Sequence, residues 1–140
     1  MKILLAVDGS KYTKKALAFL VNHDSMMNSN DELIVLNVQP PVPGRVKTVM
    51  GSAEVNAYHR EESDKVLDPV KKFLDKHTLN YRVSSVVGHP VEEILKAAIK
   101  EKPHLIVMGT HGHGLLGRAL MGSISQRVVA DCDIPVLLVK

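Results

Sequence analysis

The sequence predicts an α/β protein built on a doubly wound parallel sheet. Three observations predict it. The apolar runs are nearly continuous in Val, Ile and Leu, the mark of strands buried on both faces. The intervening segments carry helical periodicity. The two patterns alternate along the whole chain, giving β-α-β-α-β-α-β-α-β.

The elements follow in order. The first strand is "KILLAV" (2–7), and the first helix carries the stripe Tyr12, Ala16, Phe19, Leu20. The second strand is "ELIVLNV" (32–38). Next comes "QPPVPGRVKTVMGS" (39–52), which has three prolines and two glycines and reads as irregular. It is either a surface loop or a flap over a site at the strand ends. A helical stripe follows at Val66, Leu67, Val70, Phe73 and Leu74. Pro69 interrupts it, so a kink or a helix start is expected close by. The third strand, "YRVSSVV" (81–87), alternates and is placed at a sheet edge.

In "PVEEILKAAIKE" the residues Val91, Ile94, Leu95, Ala98 and Ile99 mark one helix face. Pro90 suits the first helical position, and Glu92, Glu93 and Lys100 complement the helix dipole. The last strands are "HLIVM" (104–108) and "PVLLV" (135–139), with a helix through "ISQRVVAD" between them. Right-handed crossovers leave few ways to connect these pieces.

Bulk properties bound the function. The 140 residues fit one domain, 1–140, long enough to bury a core without disulfides. Eighteen basic residues against 15 acidic leave a net charge of +3, and 4% of residues are aromatic. The scattered excess and scarce stacking groups argue against nucleic acid as a partner. Cys132 is the single cysteine, so no internal disulfide forms, and a reducing, cytoplasmic location is expected. The opening "MKILLAVDGS" is too short for a signal peptide. No apolar run approaches the roughly 18 residues of a membrane span.

Two segments leave strands with unusual chemistry: "AVDGS" after the first and "GTHGHGLLGRALMGS" (109–123) after the fourth. In open α/β sheets ligands bind beyond the carboxyl ends of strands, where the strand order reverses. If strands one and four are neighbours there, the two segments face one crevice. "GHGLLG" (112–117) is a literal G-x-G-x-x-G, but it lies in the last βα unit and lacks the acidic residue that holds a ribose. Nor is "GHGLLGRA" a P-loop, with Arg118 in place of Lys and Ala119 in place of Ser or Thr. The longer spacing Gly109-x₂-Gly112-x₉-Gly122-Ser123 has a mechanism of its own. Gly109 and Gly112 let backbone N–H groups approach phosphate oxygens. Ser123 is placed to N-cap the last helix, whose N-terminus attracts an anion.

Competing readings stand beside these. Asp8 either faces a ligand or begins a turn with Gly9. His111 and His113 resemble a metal pair, yet zinc wants three or four ligands, so they are expected to face solvent. Arg118 either reaches a phosphate or is solvated. Cys132 is expected to be an inert thiol near a helix end.

The spaced glycines, the N-terminal "ILLAVDGS" and the closing "IPVLLV" together resemble the universal stress protein family, from Lys2 to Lys140. The resemblance implies a Rossmann-like five-stranded parallel sheet, order 3-2-1-4-5, with helices on both faces. It also implies binding of ATP, or of ADP or AMP, with Mg²⁺. By position, Asp8 would contact the ribose or adenine, flanked by Ala6 and Val7. Val38 would present backbone to the adenine edge. Met108, Gly109 and Gly112 would line one phosphate corner, and Gly122, Ser123, Ile124 and Ser125 the other. Ser10 and Ser123 would lie near the Mg²⁺. Asn37 stands where the family often has His. The resemblance further implies a homodimer through the C-terminal strand, 134–139.

The sequence shows no Ser with a plausible His and acid in a nucleophile elbow. The expected role is therefore a nucleotide-dependent regulatory module of the stress response. The alternatives are a slow Mg²⁺-dependent ATP hydrolase and a dimeric interaction protein that does not use nucleotide.

Overall fold

A computed structural model describes residues 1–112 and 121–140. Its elements are β1 (Lys2–Val7), α1 (Lys11–Asn22), β2 (Glu32–Gln39), α2 (Gly44–Met50), α3 (Ser52–Leu74), β3 (Asn80–Val87), α4 (Pro90–Glu101), β4 (Leu105–Gly109), α5 (Ser123–Asp131) and β5 (Val136–Val139). The strands form one parallel sheet in the order β3-β2-β1-β4-β5, as expected. The alternating strand β3 does occupy an edge.

Strand alternation divides the apolar residues between two cores. Ile3, Leu5, Val35 and Val107 face α1 and α3, packing with Leu17, Leu20, Leu67, Val70 and Leu74. Leu4, Ile34, Leu36 and Ile106 face the opposite side, with Val91, Ile94 and Ala98 of α4 and Val128 of α5. Successive β-carbons point to opposite faces, so a strand covered on both sides must be apolar at every position. This is why β1, β2 and β4 read as unbroken runs.

Several expectations need correction. The segment 39–52 is not irregular: Gly44–Met50 form α2, and α3 begins at Ser52. Pro43 precedes α2, where its missing N–H costs nothing, and Gly51, at φ +83°, separates the two helices. None of the α2 residues is buried. Nor does α3 start near Pro69, which lies within a 23-residue helix. Pro69 is on the exposed side, so the carbonyl that loses its N–H donor faces solvent. In α1 the buried positions are Thr13, Ala16, Leu17 and Leu20. Tyr12 and Phe19 are half-buried, with Phe19 stacked on His23 at 4.2 Å between centroids. In α4, Ile99 is 76% exposed, while the core takes Val91, Ile94 and Ala98.

The close contact of α1 with β4 positions everything above the sheet. A β-carbon at Gly109 would collide with Tyr12 Cβ and lie 3.3 Å from the His111 carbonyl oxygen. Glycine at 109 is thus required by helix packing, an origin the spacing argument did not foresee. We expect Gly109→Ala to push α1 off β4 and destabilise the protein by about 1–3 kcal/mol, the cost of overpacking, read by urea unfolding.

A second expectation concerns the tether between α3 and β3. Tyr81 Oη donates to Asp75 Oδ1 at 2.5 Å. This bond to a carboxylate, with burial adding to it, pushes the Tyr81 phenol from 10.0 up to about 12. A raised phenol pKa means that the contact stabilises the fold below pH 10.0 and is lost as pH rises toward about 12. Ultraviolet titration, with Tyr81→Phe to identify the signal, should place its midpoint near 12. Asp75→Asn should return it toward 10.0.

Candidate functional site

The order reversal lies between β1 and β4, both of which pair with a different neighbour on their other side. Two connections leave the sheet there, Asp8–Ser10 after β1 and residues 110–122 after β4.

The first connection is held by Thr13. Its Oγ1 accepts from the Asp8 and Gly9 amides, at 3.0 and 3.2 Å, and donates to Asp8 Oδ1 at 3.0 Å. Asp8 Oδ1 also accepts from the Ser10 amide at 2.9 Å, an Asx-type turn. Gly9 takes φ +79°, a conformation that suits glycine. The turn reading of Asp8 therefore holds, and the same side chain also lines the crevice. Ser10 precedes α1 but makes no side-chain cap. Its Oγ is buried and has no hydrogen-bond partner among the described residues. Thr13 was not singled out in the sequence, although a threonine three residues after a helix's N-cap is a position from which it can reach back to the turn.

The second connection is pinned at both ends. The Gly122 amide donates to the Thr110 carbonyl at 2.7 Å. Ser125 Oγ donates to the Gly109 carbonyl at 2.8 Å and to that of Thr110 at 3.3 Å. The Thr110 amide bonds the Val139 carbonyl of β5 at 3.0 Å. His111 does not simply face solvent: its ring packs 5.0 Å from that of Tyr12, and Nδ1 lies 2.8 Å from Thr110 Oγ1. His113 and Arg118 lie outside the described residues.

Ser123 is not the N-cap of α5. That position belongs to Gly122, in an extended conformation, and Ser123 is the first helical residue. Ser125 looks instead into the loop base, so a side-chain cap is replaced by a brace between helix and strand. The opening amides of a helix have no carbonyl behind them. At α5 they belong to Ser123, Ile124 and Ser125, which all line the cavity.

Two adjoining hollows form one crevice above the strand ends. The outer one has a volume of about 630 Å³, inside the roughly 300–1,000 Å³ range of ligand pockets. The inner one, about 90 Å³, reaches down to Ala6, Val7, Ser10, Met108 and Gly109. Asp8, Val38, Gly112, Ile124 and Ser125 border both, and Gly122 and Ser123 border the outer one. The twelve residues named from the sequence thus share one crevice. A β-carbon on Gly112 would lie 2.8 Å from Asp8 Oδ2, so the two connections meet there.

Asn37 is 1% exposed at the end of β2. Its Nδ2 donates to the Val7 carbonyl at 2.9 Å, and its Oδ1 accepts from Gln39 Nε2 at 2.9 Å. It therefore satisfies the last carbonyl of β1, where the ladder ends. Glu62, Lys65 and Val66 of α3 form the lip of the outer hollow. Nothing local in the sequence marks them, because the long helix reaches the crevice only through tertiary packing.

Comparison with known proteins agrees with this architecture. The profile of the universal stress protein family matches residues 1–140. A Thermus aquaticus universal stress protein is 37% identical over 138 residues, 99% of this chain and 97% of its own length. The solved structure of MJ0577, a universal stress protein of Methanocaldococcus jannaschii, superposes with a TM-score of 0.84 at 31% identity, covering 99% of this chain and 94% of the other. More distant relatives share the fold and were solved with nucleotides. An Arabidopsis thaliana protein with AMP bound has a TM-score of 0.70 at 17% identity, covering 100% and 91% of the two chains. An Archaeoglobus fulgidus protein in complex with dAMP has 0.71 at 20%, covering 100% and 98%. A complex with cAMP has 0.60 at 23%, covering 99% and 95%. The sheet order, the crevice at its reversal and these matches together establish that the chain belongs to the universal stress protein family.

Proposed function

We propose that this chain binds an adenine nucleotide, ATP with Mg²⁺, in the crevice above β1 and β4, and acts as a nucleotide-responsive regulatory module in the cytoplasm. One observation carries this reading. The Asp8 turn, the 109–112 corner and the opening residues of α5 converge on one crevice of two adjoining hollows, about 630 and 90 Å³. Backbone N–H groups at a helix start suit phosphate oxygens. Asp8, which borders the cavity, would accept from a ribose hydroxyl, and Val38 borders the same space. Ser10 lines the inner hollow, and its Oγ has no hydrogen-bond partner among the described residues, which suits a polar ligand atom there. By the family resemblance, Ser10 and Ser123 would lie near the metal, which would neutralise phosphate charge when bound. The complexes of relatives with AMP, dAMP and cAMP support adenine nucleotides as the ligand class. Among the described residues no helix is long and apolar enough to cross a membrane.

Calorimetry with Mg²⁺ should give a micromolar dissociation constant for ATP, roughly 7–9 kcal/mol. Gly112→Val should weaken binding at least tenfold, about 1.4 kcal/mol, because its side chain displaces Asp8 and blocks the backbone. Absence of any heat of binding to the wild-type chain would reject the reading.

We also infer a homodimer through β5. This strand pairs β4 on one side and forms a sheet edge on the other. Its sequence "VLLV" carries no charge, and an uncharged apolar edge favours pairing with another chain. A two-fold axis would pair two copies antiparallel. Sedimentation at micromolar concentration should give twice the chain mass of 15.4 kDa. A mass of 15.4 kDa with and without ATP would reject the dimer.

A further inference from the structure

Among the described residues lining the outer hollow, three carry formal charge: Asp8, Glu62 and Lys65. Among these described residues Lys65 is the one cation. It is held on its own helix, with Nζ 2.9 Å from Glu62 Oε1 and 3.9 Å from Glu61 Oε1. The Lys65 side chain is 62% exposed, and a solvated pair at i,i+3 is easily exchanged for another partner. Its flexible four-carbon stem also borders two neighbouring clefts, one against α1 and one along α3, which leave it room to swing. The backbone beneath it is fixed. Val66 packs toward Gly9, where an added β-carbon would stand 3.2 Å from Val66 Cγ2. The lip of α3 is thus braced against the Asp8 turn while the ammonium above it stays movable.

We propose that the Glu62–Lys65 pair is a latch that reads the phosphate charge of the ligand. A phosphorylated ligand in the hollow draws Lys65 away from Glu62 and Glu61. The uncovered Glu62 carboxylate then opposes each further negative charge, so the pair sets how steeply affinity rises with phosphate number. This inference rests on the nucleotide reading of the crevice and assigns a specificity role to two α3 residues that the glycine pattern does not contain. The effect is electrostatic, so it is largest at low salt.

The test is calorimetric titration of the wild-type chain, Lys65→Met and Glu62→Gln with adenosine, AMP and ATP at low ionic strength. Lys65 is 62% exposed and Glu62 34%, and circular dichroism verifies that the variants fold. We expect Lys65→Met to weaken ATP about fivefold or more, AMP about twofold, and adenosine not at all. Glu62→Gln should strengthen ATP about threefold and leave adenosine unchanged. If Lys65→Met weakens all three ligands equally, Lys65 merely packs at the lip and the latch is overturned. If both variants keep the wild-type ratios, the latch is overturned while the nucleotide reading stands. If the wild-type chain binds none of the three, both fall together.

Discussion

The side chain of Tyr12 occupies the space in which any β-carbon on residue 109 would stand, and the arrangement above the sheet depends on that contact. It lets α1 lie directly against the end of β4. With α1 in that position, the Asp8 turn that feeds it is brought beside the connection leaving β4. The same tyrosine ring carries His111, so the first residues of the long connection are packed as well. A bulkier residue at 109 would separate the two walls of the crevice before any ligand chemistry was considered.

The rest of the site is a set of braces around that contact. Thr13 gathers the amides of Asp8 and Gly9, and Asn37 takes the terminal carbonyl of β1. Thr110, Gly122 and Ser125 tie the two ends of the β4–α5 connection together. Beside these bonds Ser10 Oγ has no partner among the described residues, and Ser123, Ile124 and Ser125 at the start of α5 line the cavity. Buried polar groups are normally satisfied, and Ser10 Oγ is an exception among the described residues.

Much of this was legible in the chain because burial on both faces leaves a strong signal. β1, β2 and β4 read as unbroken apolar runs, and the alternation in β3 marked it as an edge. Asp8 and the spaced glycines were legible for a different reason, since strand ends and glycine spacing are local features, whereas Ala6, Val7, Val38 and Met108 were expected at the site only through the family resemblance. What was not legible came from tertiary packing. The prolines before α2 disguised a helix, because they sit just outside it where no amide is needed. Ser123 has the chemistry of a cap, yet Gly122 takes the cap position and Ser125 makes the useful bond. The requirement for glycine at 109 arises from Tyr12, almost a hundred residues away in the chain. Glu62 and Lys65 reach the lip only because a long helix crosses the sheet.

Backbone amide chemical-shift mapping with ATP and Mg²⁺ tests the central claim most directly, because it locates the ligand residue by residue. The account predicts saturable shifts concentrated at Asp8, Val38, Gly109, Gly112 and the Ser123–Ser125 amides, with the C-terminal half of α4 and the N-terminal ends of the strands unchanged. Shifts centred elsewhere on the molecule, or none at saturating nucleotide, would contradict it.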